Sequence, residues 1–253
     1  MIAPEALNAL RDVAGPRGLL DRAQDLLLYE YDGSIDKGRP ECVVFPKTTE
    51  DVVAIVKICR EHRLPLVGRG AGTGLSGGTI ATQGGVMVAF ARMNRILEID
   101  YENECAVVQP GVVNLDITLA VKGNGYYYAP DPSSQRACTI GGNVSENAGG
   151  PHTLAYGVTT NHVLGIEAVL TDGTVINVGG KTADLPGYDL TGLLTGSEGT
   201  MVLVTKVIVR LMRAPEMVKT VLAIYDEPED AAATVAEITA RAIVPAAIEM
   251  LDG

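Results

Sequence analysis

Long apolar runs are missing from this chain, as are paired metal ligands and any excess of positive charge. No uncharged hydrophobic stretch approaches the roughly 20 residues that a membrane-spanning helix needs. The N-terminal segment holds no basic region followed by an apolar run, so no secretory leader is read there. The four cysteines (Cys42, Cys59, Cys105 and Cys138) are scattered without a C-x-x-C pair, the pattern of reduced, cytosolic thiols. The three histidines, His62, His152 and His162, form no i, i+4 pair beside a carboxylate, and no metal site is expected. A net charge of −11 argues against nucleic acid, which demands clustered Lys and Arg.

What is present is glycine in bursts. The stretch Pro65 to Gly85, PLVGRGAGTGLSGGTIATQGG, follows a short apolar strand and interleaves glycine with small polar residues. Successive glycines permit left-handed backbone and bring bare N–H groups close to a ligand, which suits a phosphate. A second run, PDPSSQRACTIGGNVSENAGG (Pro130 to Gly150), repeats that chemistry, and GSEGT (Gly196 to Thr200) adds a third. Three such runs joined by apolar strands suggest a wrapped nucleotide. An acidic chain must hold a pyrophosphate through backbone N–H groups and a local cation, and Arg69 is the candidate. With 253 residues, 47% hydrophobic and 20% charged, the chain can bury one large domain, or one domain plus a fragment.

The periodicity predicts an interrupted helical segment over 4–30 and a strand over Cys42 to Phe45. Thr48 or Thr49 should cap a helix carrying Val52, Ile55, Val56 and Cys59 on one face and ending near His62. The return strand Leu64 to Val67 delivers the first glycine run at a strand end. Strands follow at Gly85 to Phe90, Ile96 to Asp100 and Ala106 to Gln109, then a helix over Leu115 to Lys122 capped by Asn114. Asp172-Gly173 should turn a hairpin between Leu164 to Thr171 and Thr174 to Val178. Met201 to Met212 reads as a long strand. Past Pro215, a strand over Val218 to Tyr225, a helix over Pro228 to Ala242 and a strand over Ala246 to Leu251 read as one β-α-β unit.

Several motif matches fail on context. Gly72-Thr-Gly74-Leu-Ser-Gly77 satisfies G-x-G-x-x-G, but the glycine- and threonine-rich residues 76–86 open no helix, as a Rossmann site requires. The G-x-S-x-G match at Gly74 to Gly78 fails for the same reason. Gly180-Lys181-Thr182 ends like a phosphate-binding loop, but Val175 stands where the first glycine belongs. His62 reads as a helix-end residue; His152 and His162 flank the second run, where a structural role is the simpler reading.

The ordered set GRGAGTGLSGG, YAPDPSSQRACTIGGNVSENAGG, YGVTTNHVLGIEAV and LTGSEGTMVLVT closely resembles the FAD-binding domain of the vanillyl-alcohol-oxidase and p-cresol-methylhydroxylase superfamily. Within it, the chain is most similar to the FAD subunits of bacterial glycolate oxidase and to D-lactate and D-2-hydroxyglutarate dehydrogenases. The resemblance implies an α+β fold of two α/β subdomains. It places an N-terminal helical segment at 1–40, an FAD-binding domain at 41–215 (subdomains about 41–100 and 101–215) and the truncated start of a substrate domain at 216–253. By the same resemblance, Arg69, Gly70, Ala71, Gly72, Thr73, Gly74, Leu75 and Ser76 surround the pyrophosphate. Pro132, Ser133, Ser134 and Thr139 line the path to the flavin ring, and Gly141, Gly142, Asn143 and Ser145 pack along ring and ribityl chain. Asn147, Ala148, Gly149 and Gly150 continue toward the adenine side, and Glu198, Gly199, Thr200 and Val204 close the second subdomain.

Some members of the superfamily attach FAD to a histidine of the first loop. Here Thr73 occupies that neighbourhood and no histidine lies between His62 and His152, while Cys138 matches the cysteinyl pattern poorly; a dissociable FAD is expected. The implied activity is oxidation of a 2-hydroxy acid, such as glycolate or D-lactate, by hydride transfer to FAD. The implied setting is cytoplasmic, in an assembly with partner subunits such as an iron-sulfur protein, with peripheral attachment at the inner membrane through them left open. Catalytic residues and substrate cation are expected beyond residue 253. An FAD-holding subunit inactive without partners, and an enolpyruvyl sugar nucleotide reductase, are the alternatives.

Overall fold

The computed structural model describes residues 2–182 and 186–251. Met1, residues 183–185 and residues 252–253 lie outside the described residues, and with them the extreme ends of the expected segments 1–40 and 216–253. The chain opens with α1 (Pro4–Ala14), β1 (Leu19–Leu20), α2 (Ala23–Leu26), β2 (Cys42–Val44), α3 (Thr49–Glu61), β3 (Leu66–Arg69) and β4 (Val86–Ala89). β5 (Ile96–Asp100), β6 (Cys105–Val108), α4 (Asn114–Val121), β7 (Tyr126–Tyr127), α5 (Ile140–Glu146) and α6 (Thr153–Tyr156) follow. The remainder is β8 (Val163–Val169), β9 (Val175–Gly179), α7 (Leu190–Leu194), β10 (Leu203–Arg210), β11 (Met212–Arg213) and α8 (Pro228–Ala240).

Two larger sheets divide the α+β fold, and β7 and β11 pair as a separate two-stranded one. The first has strand order β1-β2-β4-β3, with β2 and β3 both parallel to β4. Parallel strands need both faces covered, and alternation along these strands supplies two apolar faces. Cys42, Val44, Val86 and Val88 pack beneath Leu10 of α1 and Val52, Ile55 and Val56 of α3. Val43, Met87 and Ala89 turn the other way, onto Leu26 and Ala81. Burial pushes the Cys42 and Cys59 thiols up to about 12, so both act as small apolar fillers. The second sheet is antiparallel, β5-β6-β10-β8-β9. Ile117 and Val121 of α4 and Ile140 and Val144 of α5 seat on its Ala106, Val108, Ala168 and Val207. Gly173, at φ +86°, turns the β8–β9 hairpin at Asp172-Gly173.

α3 starts where Thr48 closes a capping box with Asp51: Asp51 N donates to Thr48 Oγ1 and Thr48 N to Asp51 Oδ2. Its first turn also reaches the second sheet. Glu167 Oε1 accepts hydrogen bonds from Thr49 Oγ1 at 2.7 Å and Thr205 Oγ1 at 2.9 Å, and Lys206 Nζ lies 2.7 Å from Oε2. Val169 and Leu203 of the second sheet join the core under α3, so an apolar seam and a carboxylate cluster together fix the two sheets.

Four local expectations differ. The strand expected over Leu64 to Val67 forms two residues later, because Pro65 offers only its carbonyl, which accepts from Val86 N; Arg69 thereby closes β3 instead of sitting in the loop. Asn114 does not cap α4. Its amide is fully buried and bonds Pro130 O and Asn143 Oδ1, leaving Val113 at the cap position. The second glycine run contains a helix, α5, which its glycines concealed. Neither Val218 to Tyr225 nor Ala246 to Leu251 forms a strand among the described residues. A strand requires a neighbouring edge, and these segments have none: Val221, Leu222 and Ile224 are more than four-fifths exposed, and α8 buries no residue. The expected β-α-β unit is therefore a helix whose described flanks form no strand.

Burial alone would raise the Glu167 pKa, but hydrogen bonds from Lys206, Thr49 and Thr205 outweigh it and hold the carboxyl below its ordinary value of 4.5. A depressed folded pKa contributes stability above the unfolded pKa and loses it as pH falls through the folded value. Urea unfolding of wild type should therefore weaken below about pH 4.5 more steeply than that of Glu167→Gln, which should be less stable near neutrality. Parallel pH profiles would show that the cluster contributes no linkage.

Candidate FAD site

The three small-residue runs meet at one cleft of about 380 Å³ between the two sheets. That volume lies within the range of small-molecule sites, roughly 300–1,000 Å³. Its first wall is the loop leaving β3. The backbone N–H groups of Ala71, Gly72, Thr73 and Gly74 donate no hydrogen bond to any described residue, although these residues line the cleft. Buried backbone donors are satisfied almost without exception, but Ala71 is exposed and Gly72 to Gly74 are half-buried, so these four are open to solvent or to a ligand. A row of free ones along a cleft is an anion cradle. Gly72 is held at φ +70°, and a Cβ there would overlap the Arg69 guanidinium.

Arg69 braces this loop from below. It is 7% exposed, its Nη1 donates to Tyr31 O at 2.9 Å and Thr79 Oγ1 at 3.3 Å, and its guanidinium lies 5.5 Å from the Tyr29 ring centre. Burial pulls its pKa below the usual value, and the neighbouring Tyr29, Asp32 and Tyr31 push it back. It remains a cation.

The opposite wall is the turn into α5. A Cβ on Gly70 would overlap Thr139 Oγ1, so the first loop and the second run touch only because Gly70 is bare. Thr139 is 8% exposed and its Oγ1 has no partner among the described residues. Gly142 faces open space, with Thr139 Oγ1 the nearest atom at 3.6 Å from a built Cβ. Asn143 accepts from Asn114 at 2.9 Å, which fixes its side chain. Ser76 Oγ donates to Glu146 Oε2 at 2.7 Å and ties the first loop to α5. The third run joins through Glu198 N and Gly196 N, which donate to the Ser145 and Val144 carbonyls.

Of the expected site residues, Arg69 to Gly74, Thr139, Gly141, Gly142, Asn143, Ser145, Ala148, Glu198, Gly199, Thr200 and Val204 line the cleft. Leu75, Ser76, Pro132, Ser133, Ser134, Asn147, Gly149 and Gly150 do not. Leu75 points into solvent. Ser76 is spent on Glu146. Pro132, Ser133 and Ser134 form a turn in which Pro132 O accepts from Gln135 N and Ser134 O from Ala137 N and Cys138 N. Asn147 accepts from Thr160 N, and Gly149 and Gly150 pack against Thr153 and the Asp131 carbonyl. Asp32, Gly78, Thr79, Pro110, Glu146 and Leu203 line the cleft without having been expected. Gly78 and Thr79 lie inside the first run and were legible there; Asp32 and Pro110 lie outside the three glycine runs. His152 sits off the cleft with Nδ1 2.6 Å from Asp131 Oδ2, and His162 is buried with Nε2 2.8 Å from Tyr156 O. Burial lowers the His162 pKa, consistent with a neutral structural imidazole. No cluster of metal-ligating side chains occurs among the described residues.

Comparison with known proteins decides the family. The FAD binding domain family matches residues 40–179. The chain belongs to that family. The glycolate oxidase subunit GlcD of Bacillus subtilis (strain 168) is 48% identical over 254 residues, covering 100% of this chain and 54% of that protein. The glycolate oxidase subunit GlcD of Escherichia coli (strain K12) is 46% identical over 247 residues, 97% of this chain and 50% of that one. The D-lactate dehydrogenase of Archaeoglobus fulgidus is 43% identical over 213 residues, 83% of this chain and 47% of that one. The chain spans about half the length of the curated relatives it matches. Among solved structures, an alkyldihydroxyacetonephosphate synthase shares the fold at a TM-score of 0.85 and 18% identity, over 98% of this chain and 47% of that one. A p-cresol methylhydroxylase with substrate bound aligns at a TM-score of 0.73 and 25% identity, over 84% of this chain and 44% of that one.

The cleft fits FAD, the cofactor of the family. Free loop N–H groups suit a pyrophosphate, the unpartnered Thr139 hydroxyl awaits a polar ligand, and Gly70 and Gly142 leave the walls bare. Gly142→Leu should fold normally, since nothing of the fold occupies that space, yet lose at least about 10-fold in FAD affinity by filling the cleft. Gly72→Val, strained at φ +70° and displacing Arg69, should lose FAD binding and also some apoprotein stability. Flavin fluorescence titration with apoprotein melting checks both; full FAD affinity in folded Gly142→Leu would remove α5 from the cofactor wall.

Proposed function

We propose that this chain is the FAD-holding part of a flavin-linked oxidoreductase that oxidises a 2-hydroxy acid of the glycolate or D-lactate type. The observation that carries the reading is the convergence of three separate glycine runs on one cleft with free backbone donors. The substrate class is supported by the relatives named for glycolate and D-lactate. The flavin, when bound, supplies the two-electron acceptor.

The chain's own residues bind and orient. The N–H groups of Ala71 to Gly74 and the buried Arg69 hold the pyrophosphate. Thr139 offers a hydroxyl from the facing wall, and the Ser76–Glu146 hydrogen bond keeps the two walls together. FAD is held without a covalent bond: the loop carries Thr73, and His152 and His162 are engaged elsewhere. No side chain described here is assigned as the base for the substrate hydroxyl.

Residues 216–253 are read as part of a segment that covers the substrate, a role supported by the exposed Met217, Val221, Leu222 and Ile224. The working protein is proposed to pair with partner subunits, an iron-sulfur protein among them, as the word subunit in the relatives' names supports. No helix among the described residues is long and apolar enough to cross a membrane; attachment at the inner membrane is proposed to run through those partners.

Two measurements test this. Acid precipitation of FAD-loaded protein should leave all yellow colour in the supernatant, whereas flavin on the pellet would mean a covalent link. Dye reduction by this chain with glycolate, D-lactate or an enolpyruvyl sugar nucleotide should be negligible. A rate of roughly 1 per second or more with either hydroxy acid would place the catalytic groups within residues 1–253, and one with the sugar nucleotide alone would replace the substrate class.

A further inference from the structure

Asp32 is the cleft residue whose chemistry the pyrophosphate does not explain. It is 8% exposed and lines the cleft. Both of its chain neighbours are bonded to the first glycine segment: Tyr31 O accepts from Arg69 Nη1, and Gly33 N donates to Gly74 O at 2.9 Å. Its side chain is therefore fixed beside the loop. Ser34 N donates to Oδ1 at 2.7 Å and orients the carboxylate, while Oδ2 is buried without a partner among the described residues.

A carboxylate only accepts hydrogen bonds. An unpartnered buried oxygen is costly and calls for a reason. Phosphate oxygens also only accept, so Asp32 repels the group that the neighbouring N–H row attracts. Arg69 offsets that repulsion electrostatically, yet forms no ion pair with Asp32 among the described residues, its Nη1 being used on Tyr31 O and Thr79 Oγ1. What Oδ2 lacks is a donor that arrives with the pyrophosphate and sits next to it. In FAD those donors are the hydroxyls of the two sugar chains, ribose on one side and ribityl on the other.

We propose that Asp32 is a cofactor-binding residue, with Oδ2 accepting a hydrogen bond from a sugar hydroxyl adjoining the pyrophosphate. This rests on the FAD reading above and adds to it a residue outside the glycine runs. By the same logic, an acidic cleft with Asp32, Glu146 and Glu198 against Arg69 should favour a dinucleotide over inorganic phosphate: the carboxylate penalises a bare anion and accepts from one that carries hydroxyls.

Asp32→Asn tests this cleanly, because its Oδ1 can keep the bond from Ser34 N while an NH₂ donor replaces the acceptor. Binding of FAD is compared with binding of two analogues, one with 2′,3′-dideoxyadenosine and one with the ribityl hydroxyls removed. The variant should weaken FAD by about 10-fold or more, the scale of a lost hydrogen bond to a charged acceptor. That penalty should vanish on one analogue, which identifies the sugar. Asp32→Ser, which keeps an oxygen acceptor for Ser34 N and removes the carboxylate, should behave alike should the Asn variant fold poorly; apoprotein melting reports on folding. Because the variant also removes the repulsion from the pyrophosphate, the comparison decides: an effect of Asp32→Asn that is the same on FAD and on both analogues overturns the proposal while the FAD reading stands. Failure of wild type to bind FAD at all would sink that reading and this inference with it.

Discussion

The contact between Gly70 and Thr139 is the constraint on which the site depends. The first loop leaves a parallel sheet, and the second run enters α5 on an antiparallel one, and the two approach within the reach of a single missing methyl group. Any side chain at position 70 would part them. Because they touch, the N–H row on one side and the unpartnered Thr139 hydroxyl on the other face the same space, and polar groups that would be defects in a core become ligand contacts.

That contact needs the two sheets to hold a fixed relation, and this is the part played by Glu167. Its carboxylate gathers Thr49 from α3 with Thr205 and Lys206 from β10, beside an apolar seam formed by Val169 and Leu203 under α3. Leu203 also lines the cleft. The same strand thus closes the seam and shapes the pocket, so site geometry and inter-sheet packing are not separable.

Much of this was legible in the residues. The apolar spacing of Val52, Ile55, Val56 and Cys59 and the threonine before it define α3 with its cap, and Asp172-Gly173 defines the hairpin, because each is decided by neighbours in sequence. The three glycine runs announced the cleft. α5 was hidden because Gly141 and Gly142 depress helix propensity, and only the packing of Ile140 and Val144 under the second sheet recovers it. Asn114 looked like a cap because that is what an asparagine does locally; its real partners lie 16 and 29 residues away. Asp32 carried no signal at all, since a lone acid in a polar stretch is usually a solvated turn. The strands expected after Pro215 have the apolar composition of strands, yet composition cannot supply a partner edge.

The free N–H groups of Ala71 to Gly74 bear on how the protein comes into being, as well as on what it holds. Without a cofactor, water must satisfy them, and the segment is held only at its margins, by Gly33 N on Gly74 O and by the Ser76–Glu146 hydrogen bond. An anion bound there would add four donors' worth of hydrogen bonds between those margins, which couples cofactor capture to the stability of the loop. Apparent stability would rise with the logarithm of free FAD. Protein made faster than flavin is supplied would carry an incompletely bonded loop beside a finished core, and flavin supply would then set how much of it is fully stabilised.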